Sequence, residues 1–500
     1  MAYTNSPETA TYKVVNVKFD GTPTYRYGDT TTPRDIQIVN FYYDRISQEN
    51  KQREVRLKKR PGLSASAYSM SKASSADALR GSFYDPDKNT FYWAVNNKIY
   101  YVAPDVSSTT GTAVTLATSS GYVGFCSYLK SDGTRYIIAS DGTDLWVIDT
   151  TTNIGTEVMD VDLPSPHQPY PLYLDGYVFL IKTNTGDIYN SAVDDPTSWS
   201  TDAVINAEIS SDYSIRLYKV KNYIIAMGNS SIEYFYDAGN VPPDSPLNRN
   251  DSPVRGVGYI TGGCQIGDTV YFVGQDSSQN IAVYTVNSFK VDRISNPAVD
   301  RTLQVYLSTD NSKSNVTLDK DGHIVSVDGH TFYVLVTPST TWVYDVEDKF
   351  WYEWKSSNGS GVQLEASWAM FRGGMYVAVS NQTTISKLSQ NVYQDFGSNF
   401  TCRYTTEDNN FDTFNWKVCH RVALLCSMHN YTGTSNATVS WSDNDWGDSG
   451  TTGRNINVFS SSPYITRCGK FRNRSFRIEY ADNYPFFMTG LQLDINVMGI

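Results

Sequence analysis

Residues 132–149 read DGTRYIIASDGTDLWVID. An Asp-Gly pair opens the stretch and a second divides it. Such dipeptides close tight hairpins between short strands. The first strand, 136–140 (YIIAS), is nearly continuous in apolar residues, as expected of a strand buried on both faces. The second, 144–148 (DLWVI), is more mixed, as expected nearer the outside.

The same grammar recurs along the chain. Counterparts of the first strand lie at 91–95 (FYWAV), 177–181 (YVFLI), 223–227 (YIIAM), 270–274 (VYFVG), 332–336 (FYVLV) and 375–379 (MYVAV). Successive copies start 41 to 62 residues apart, and each follows a turn signal such as Asp175-Gly176 or Asp328-Gly329. A period of 40 to 50 residues with several short strands per unit marks a β-propeller, whose blades bury their faces only by packing radially. Seven copies predict seven blades, alternatively six. The widest spacing precedes 332 and predicts an insertion at 296–322, read as a polar loop.

Composition agrees with an all-β chain. Of the 52 acidic residues 41 are Asp, a turn former, and 11 are Glu, a helix former. The 37 Tyr and 34 Gly suit pleated strands and tight turns. The helix candidates are weak, near 43–58 and 71–80. Beyond residue 398 the period is lost. The resulting division is an N-terminal extended arm over 1–80, partly packed on the propeller, a propeller over 81–397, and a C-terminal antiparallel β-sandwich over 398–500.

No stretch is apolar enough to span a bilayer, so no membrane anchor is expected. The opening MAYTNSPETATYKVV lacks a basic region and an apolar run, so no secretory leader is expected. The six cysteines show no CxxC spacing and read as small buried hydrophobes in a reducing compartment, with a C-terminal disulfide as the alternative. Neither a G-x-S-x-G elbow nor a phosphate loop occurs, and Cys126 has no assigned base. His323 and His330 flank a turn and have no metal-ligand spacing. The acidic loops 319–321 and 443–448 lack a calcium-loop pattern and read as solvated turns. Gly256 and Gly258 read as a turn before a strand. No catalytic residue, metal or cofactor is therefore expected. The densest charge is 51–60 (KQREVRLKKR), where Arg53, Arg56, Lys58, Lys59 and Arg60 form a candidate partner-docking strip. Without interleaved aromatics it is a poor nucleic-acid platform.

Residues 37–63 (QIVNFYYDRISQENKQREVRLKKRPGL) combine an aromatic strand with a basic strand ending in Pro-Gly-Leu. Together with 228–240 (GNSSIEYFYDAGN) they resemble the packaged-DNA stabilisation proteins, the tail hub or nozzle, of short-tailed bacteriophages. That resemblance implies a structural virion protein of the tail, made in the host cytoplasm, and no enzyme. It implies a homo-oligomeric ring, commonly a hexamer, below the portal and adaptor, carrying tail spikes or fibres. Genome DNA would pass through the lumen without specific binding, and the ring would gate its release. A net charge of −11 agrees, because a conduit that neutralised phosphates would hold the duplex. The alternatives are a propeller acting as a lectin or glycosidase, and a propeller scaffold for peptide partners.

Overall fold

The computed structural model describes residues 11–18, 37–46, 54–75, 77–207, 212–308, 322–370, 373–426, 428, 430–444, 446 and 453–498. Among them are seven four-stranded antiparallel meanders. They span 79–115, 124–157, 172–206, 214–255, 257–293, 323–354 and 364–389, and the last takes its fourth strand from elsewhere in the chain. We call them blades 1 to 7. Six are self-contained sheets, while blade 6 runs on into a nine-stranded sheet. The fold is thus a propeller of six closed blades with a seventh meander fused to the rest of the molecule. All seven repeated apolar segments fall on the second strand of a meander, from Thr90–Val95 to Gly374–Val379.

Packing explains why those segments are apolar throughout. Each apolar layer draws on two successive blades. Tyr92 and Ile99 of blade 1 meet Ile137 and Trp146 of blade 2. Phe91 and Trp93, on the other face of blade 1, meet Trp368 and Ala378 of blade 7 and close the circle. A second strand therefore faces a neighbour on both sides, and neither face can be polar. Backbones approach closely near the axis. A Cβ on Gly124 would lie 1.9 Å from the Pro169 carbonyl oxygen, and one on Gly258 1.6 Å from that of Asn229, so only glycine fits.

The fourth strand of blade 7 is Gly62–Ser69, which pairs with Thr384–Ser389. The N-terminal segment expected as an arm contributes to three sheets. Ile38–Val39 joins blade 6 to the strand Cys402–Thr405, and the hairpin Phe41–Ile46/Glu54–Lys59 enters a seven-stranded sheet beside Phe487–Val497. The strand Thr11–Lys18 pairs along Phe487–Val497 as well. That sheet and the nine-stranded one share a core of Leu57, Val422, Leu491, Ile478 and Trp441, which also reaches Val334 of blade 6 and Val377 of blade 7.

Three local expectations are corrected. The helix candidate at 43–58 lies partly outside the described residues, and its described parts are strands. The candidate at 71–80 is not helical among its described residues. The helix found, Pro297–Ser308, lies in the insertion read as a loop. Asn296 caps it, its Oδ1 accepting from the Ala298 and Val299 amides at 3.0 Å. Pro297 suits the first turn, and Val299 and Leu303, four apart, bury one face against blades 5 and 6. Residues 309–321, including the 319–321 loop, lie outside the described residues.

Candidate functional site: the basic strand and its sockets

The candidate docking residues sit on Glu54–Lys59 and just beyond it. Arg53 lies outside the described residues. The remainder splits, Lys59 by strand alternation and Arg60 because it lies just past the strand's end. Arg56 and Lys58 point to one side and stay half-buried, whereas Lys59 and Arg60 are interior. Arg56 donates to Asp44 Oδ2 from Nε at 3.0 Å and Nη2 at 2.7 Å, and stacks on Phe487. Lys58 pairs with Asp328 at 2.7 Å. Burial pushes the Asp328 carboxyl up, but hydrogen bonds from Lys58 and Tyr42 outweigh it and hold the carboxyl below its ordinary range.

Lys59 Nζ donates to the Asp482 carbonyl at 2.7 Å and lies 4.6 Å over the Phe400 ring. Burial lowers its pKa. Arg60 is held on every side. It donates to Asp395 at 3.0 and 2.6 Å, to Asn40 Oδ1 at 2.8 Å and to the carbonyls of Pro61 and Lys355. Its guanidinium lies 3.8 Å above Phe400. Asn40, in left-handed conformation at φ 57°, is the matching hub. It donates Nδ2 to Thr401 O and its amide to Glu353 O, and its Oδ1 also accepts from the Lys355 amide. Five chain segments meet at this pair. Arg60 and Lys59 therefore join the propeller to the other sheets, and of the described strip Arg56 and Lys58 keep part of their side chains exposed, 30% and 17%. Asn40, Asp395 and Phe400 were not singled out from sequence, because nothing local ties residues hundreds of positions apart.

The other candidates are structural in their surroundings. All six cysteines are free thiols. Burial raises Cys126, and raises Cys264 and Cys402 to about 12. His167 contacts Ser140 Oγ at 2.7 Å and the Pro164 carbonyl at 2.7 Å, is interior, and has its pKa lowered by burial. His330 meets Asp345 Oδ2 at 2.8 Å and stacks on Phe332, and the hydrogen bond to Asp345 raises its pKa. With Glu347 these two form a group that could hold a metal ion. Asp345 is already engaged by two backbone amides, and Glu347 by one. In the 443–448 loop Asp443 pairs with Arg474 at 2.6 Å, while Asp445, Gly447 and Asp448 lie outside the described residues. Gly256 follows blade 4 and Gly258 starts blade 5, as a turn and a strand. An axial cleft of about 460 Å³ opens between the inner strands of blades 1 to 4, lined by Phe83, Phe125, Tyr170, Tyr173, Arg216 and Tyr218.

Charge is unevenly spread. Residues 81–397 carry 19 Lys and Arg against 35 Asp and Glu, whereas 1–80 carry 13 against 8 and 398–500 carry 9 against 9. The whole net negative charge belongs to the propeller.

A family model described as "Bacteriophage P22 Gp10, beta-propeller" matches residues 48–393. No curated protein matches the chain. Among solved structures, the β-propeller domain of Myceliophteria thermophila Cps50 (Swd1) is similar at TM-score 0.38 and 7% identity, over 66% of this chain and 100% of that one. The N-terminal domain of Nup159 is similar at TM-score 0.37 and 9% identity, over 66% and 94%. U3-55K is similar at TM-score 0.36 and 9% identity, over 65% and 98%.

Proposed function

The chain belongs to the phage stabilisation family of P22 Gp10, structural β-propeller proteins of the bacteriophage virion, and from that membership we propose a ring below the portal and adaptor of a short-tailed phage. The ring, most simply a hexamer, serves as a DNA conduit, retains the packaged genome and carries tail spikes or fibres. The observation that carries this reading is the family match over 48–393.

Charge supports it. A wall with 35 acidic and 19 basic residues per propeller repels a duplex, so DNA slides past it rather than being held by phosphate neutralisation. The rigid join at Asn40 and Arg60 supports it as well, since a wall must transmit load between its two halves. Within the basic strip, Arg56 and Lys58 are the described residues that face the adaptor above.

The test is genetic and visual. Particles assembled without this chain should package DNA and then lose it, and micrographs of complete particles should place the chain as a ring under the portal. Particles that keep their genome without it would sink the reading.

A further inference from the structure

Over Thr11–Lys18, Phe487–Val497 and Lys417–Cys426 the seven-stranded sheet turns one face to the core and the other outward. Val422, Leu424, Leu491, Leu493 and Ile465 fill the core side. Register puts Tyr12, Asn496, Val418 and Lys470 in one row across the opposite face, and Val14, Asp494, Arg421 and Thr466 in the next. That outer face is not an ordinary polar one. Tyr12 is 60% exposed, Tyr464 48% and Trp416 42%, and nearby Phe414 is 77% exposed. The Trp416 ring carries Lys470 Nζ at 4.6 Å and the Arg472 guanidinium at 4.9 Å from its centroid. Large exposed aromatics flanked by cations mark an interaction surface rather than a solvated one.

The charge of this region is of one sign. From residue 449 to 478 the chain holds six Lys and Arg and no Asp or Glu. The segment from 136 to 181, which runs from blade 2 into blade 3, is its opposite, with seven Asp and Glu and no Lys or Arg. At the outer edge of blade 2, just past the edge strand Gly155–Glu157, Met159 is 80% and Val161 95% exposed, with Glu157 and Asp162 alongside. Two apolar side chains thus project from an acidic rim, while aromatic side chains project from a basic face. The two patches lie on sheets that share no strand.

We infer that the aromatic and basic outer face of the C-terminal sheet docks on the outer edge of blade 2 of a second copy of this chain. The inference rests on the ring reading and deepens it by naming the surfaces. Because the two patches differ, the contact is heterologous, and repeating it head to tail generates a ring where the rotation closes. Opposite charge sets the register and the approach, while the aromatic and apolar side chains supply the buried centre.

The experiment uses the purified full chain and light scattering over a concentration series. Wild type should self-associate. Lys470→Glu with Arg472→Glu should weaken association at least tenfold, and so should Glu157→Lys with Asp162→Lys. Mixing the two variants should restore assembly with the copies alternating, since the two unchanged faces pair with each other and so do the two reversed ones. All four substitutions in one chain should restore assembly. Trp416→Ala provides a charge-neutral check, with circular dichroism confirming the fold in each case. Variants that assemble like wild type would overturn the surface assignment while leaving the ring reading standing. A wild-type chain that stays single at every concentration would overturn the inference, and the particle micrographs then decide the ring separately.

Discussion

Arg60 grips Asp395 through two nitrogens, across 335 residues of sequence, with the two side chains 1% and 5% exposed. Neither charge can be left alone there. Removing one partner of such a buried pair costs about 3–5 kcal/mol, whereas an apolar pair of similar volume is often neutral. Asp395→Asn and Arg60→Met should each lose that much in urea unfolding, and the double variant Arg60→Met/Asp395→Leu should recover most of it. Equal losses in single and double variants would contradict the account.

Gly258 tests the contact between blades 4 and 5. An added Cβ would meet the Asn229 carbonyl oxygen at 1.6 Å, and the backbone must move to admit it. Overpacking of this kind costs about 1–3 kcal/mol. Gly258→Ala should lower Tm clearly, while Gly133→Ala, whose Cβ would meet nothing within 4 Å, should suffer only its local backbone strain. Equal Tm values for Gly258→Ala and wild type would rule the contact out.

Stability should depend on pH through His330. Its hydrogen bond to Asp345 holds the folded pKa above the unfolded value of about 6.5. The contribution is complete below the unfolded value and is lost as pH rises through the folded one. Unfolding free energy measured from pH 5.5 to 8.5 should therefore fall faster in wild type than in His330→Gln. Parallel curves would show that the imidazolium adds nothing.

Thiol reactivity offers a fourth check. Burial raises Cys402 to about 12 and Cys426 to about 11, and a protonated thiol is a poor nucleophile. A thiol-exchange reagent at pH 8 should leave both nearly untouched in the native protein and titrate them promptly in guanidinium. Rapid native labelling of Cys402 would mean that the core around Asn40 opens readily.

The propeller was legible because its signal is local and repeated. Thr90–Val95, Arg135–Ser140 and Tyr177–Ile181 all carry an apolar strand behind a turn, and one such unit predicts its neighbours. The helix Pro297–Ser308 was not legible although Asn296-Pro297 announces its start, because within a polar insertion its buried face is only a short stripe at Val299 and Leu303. The basic strip illustrates a different limit. Six cations in ten residues look like surface, yet strand alternation turns Lys59 inward, and the sockets at Asp395, Phe400 and Asp482 hold Lys59 and Arg60 inside. Those sockets arrive from over 300 residues away and leave no mark near the strip.

The pairing of Thr11–Lys18 with Phe487–Val497 runs antiparallel over eight residues, so the first and last described strands lie side by side. Thr11 faces Val497, so a pull applied to the two ends acts at one end of this ladder and opens its hydrogen bonds one after another. The clasp would unzip under a light load before the blades felt the pull.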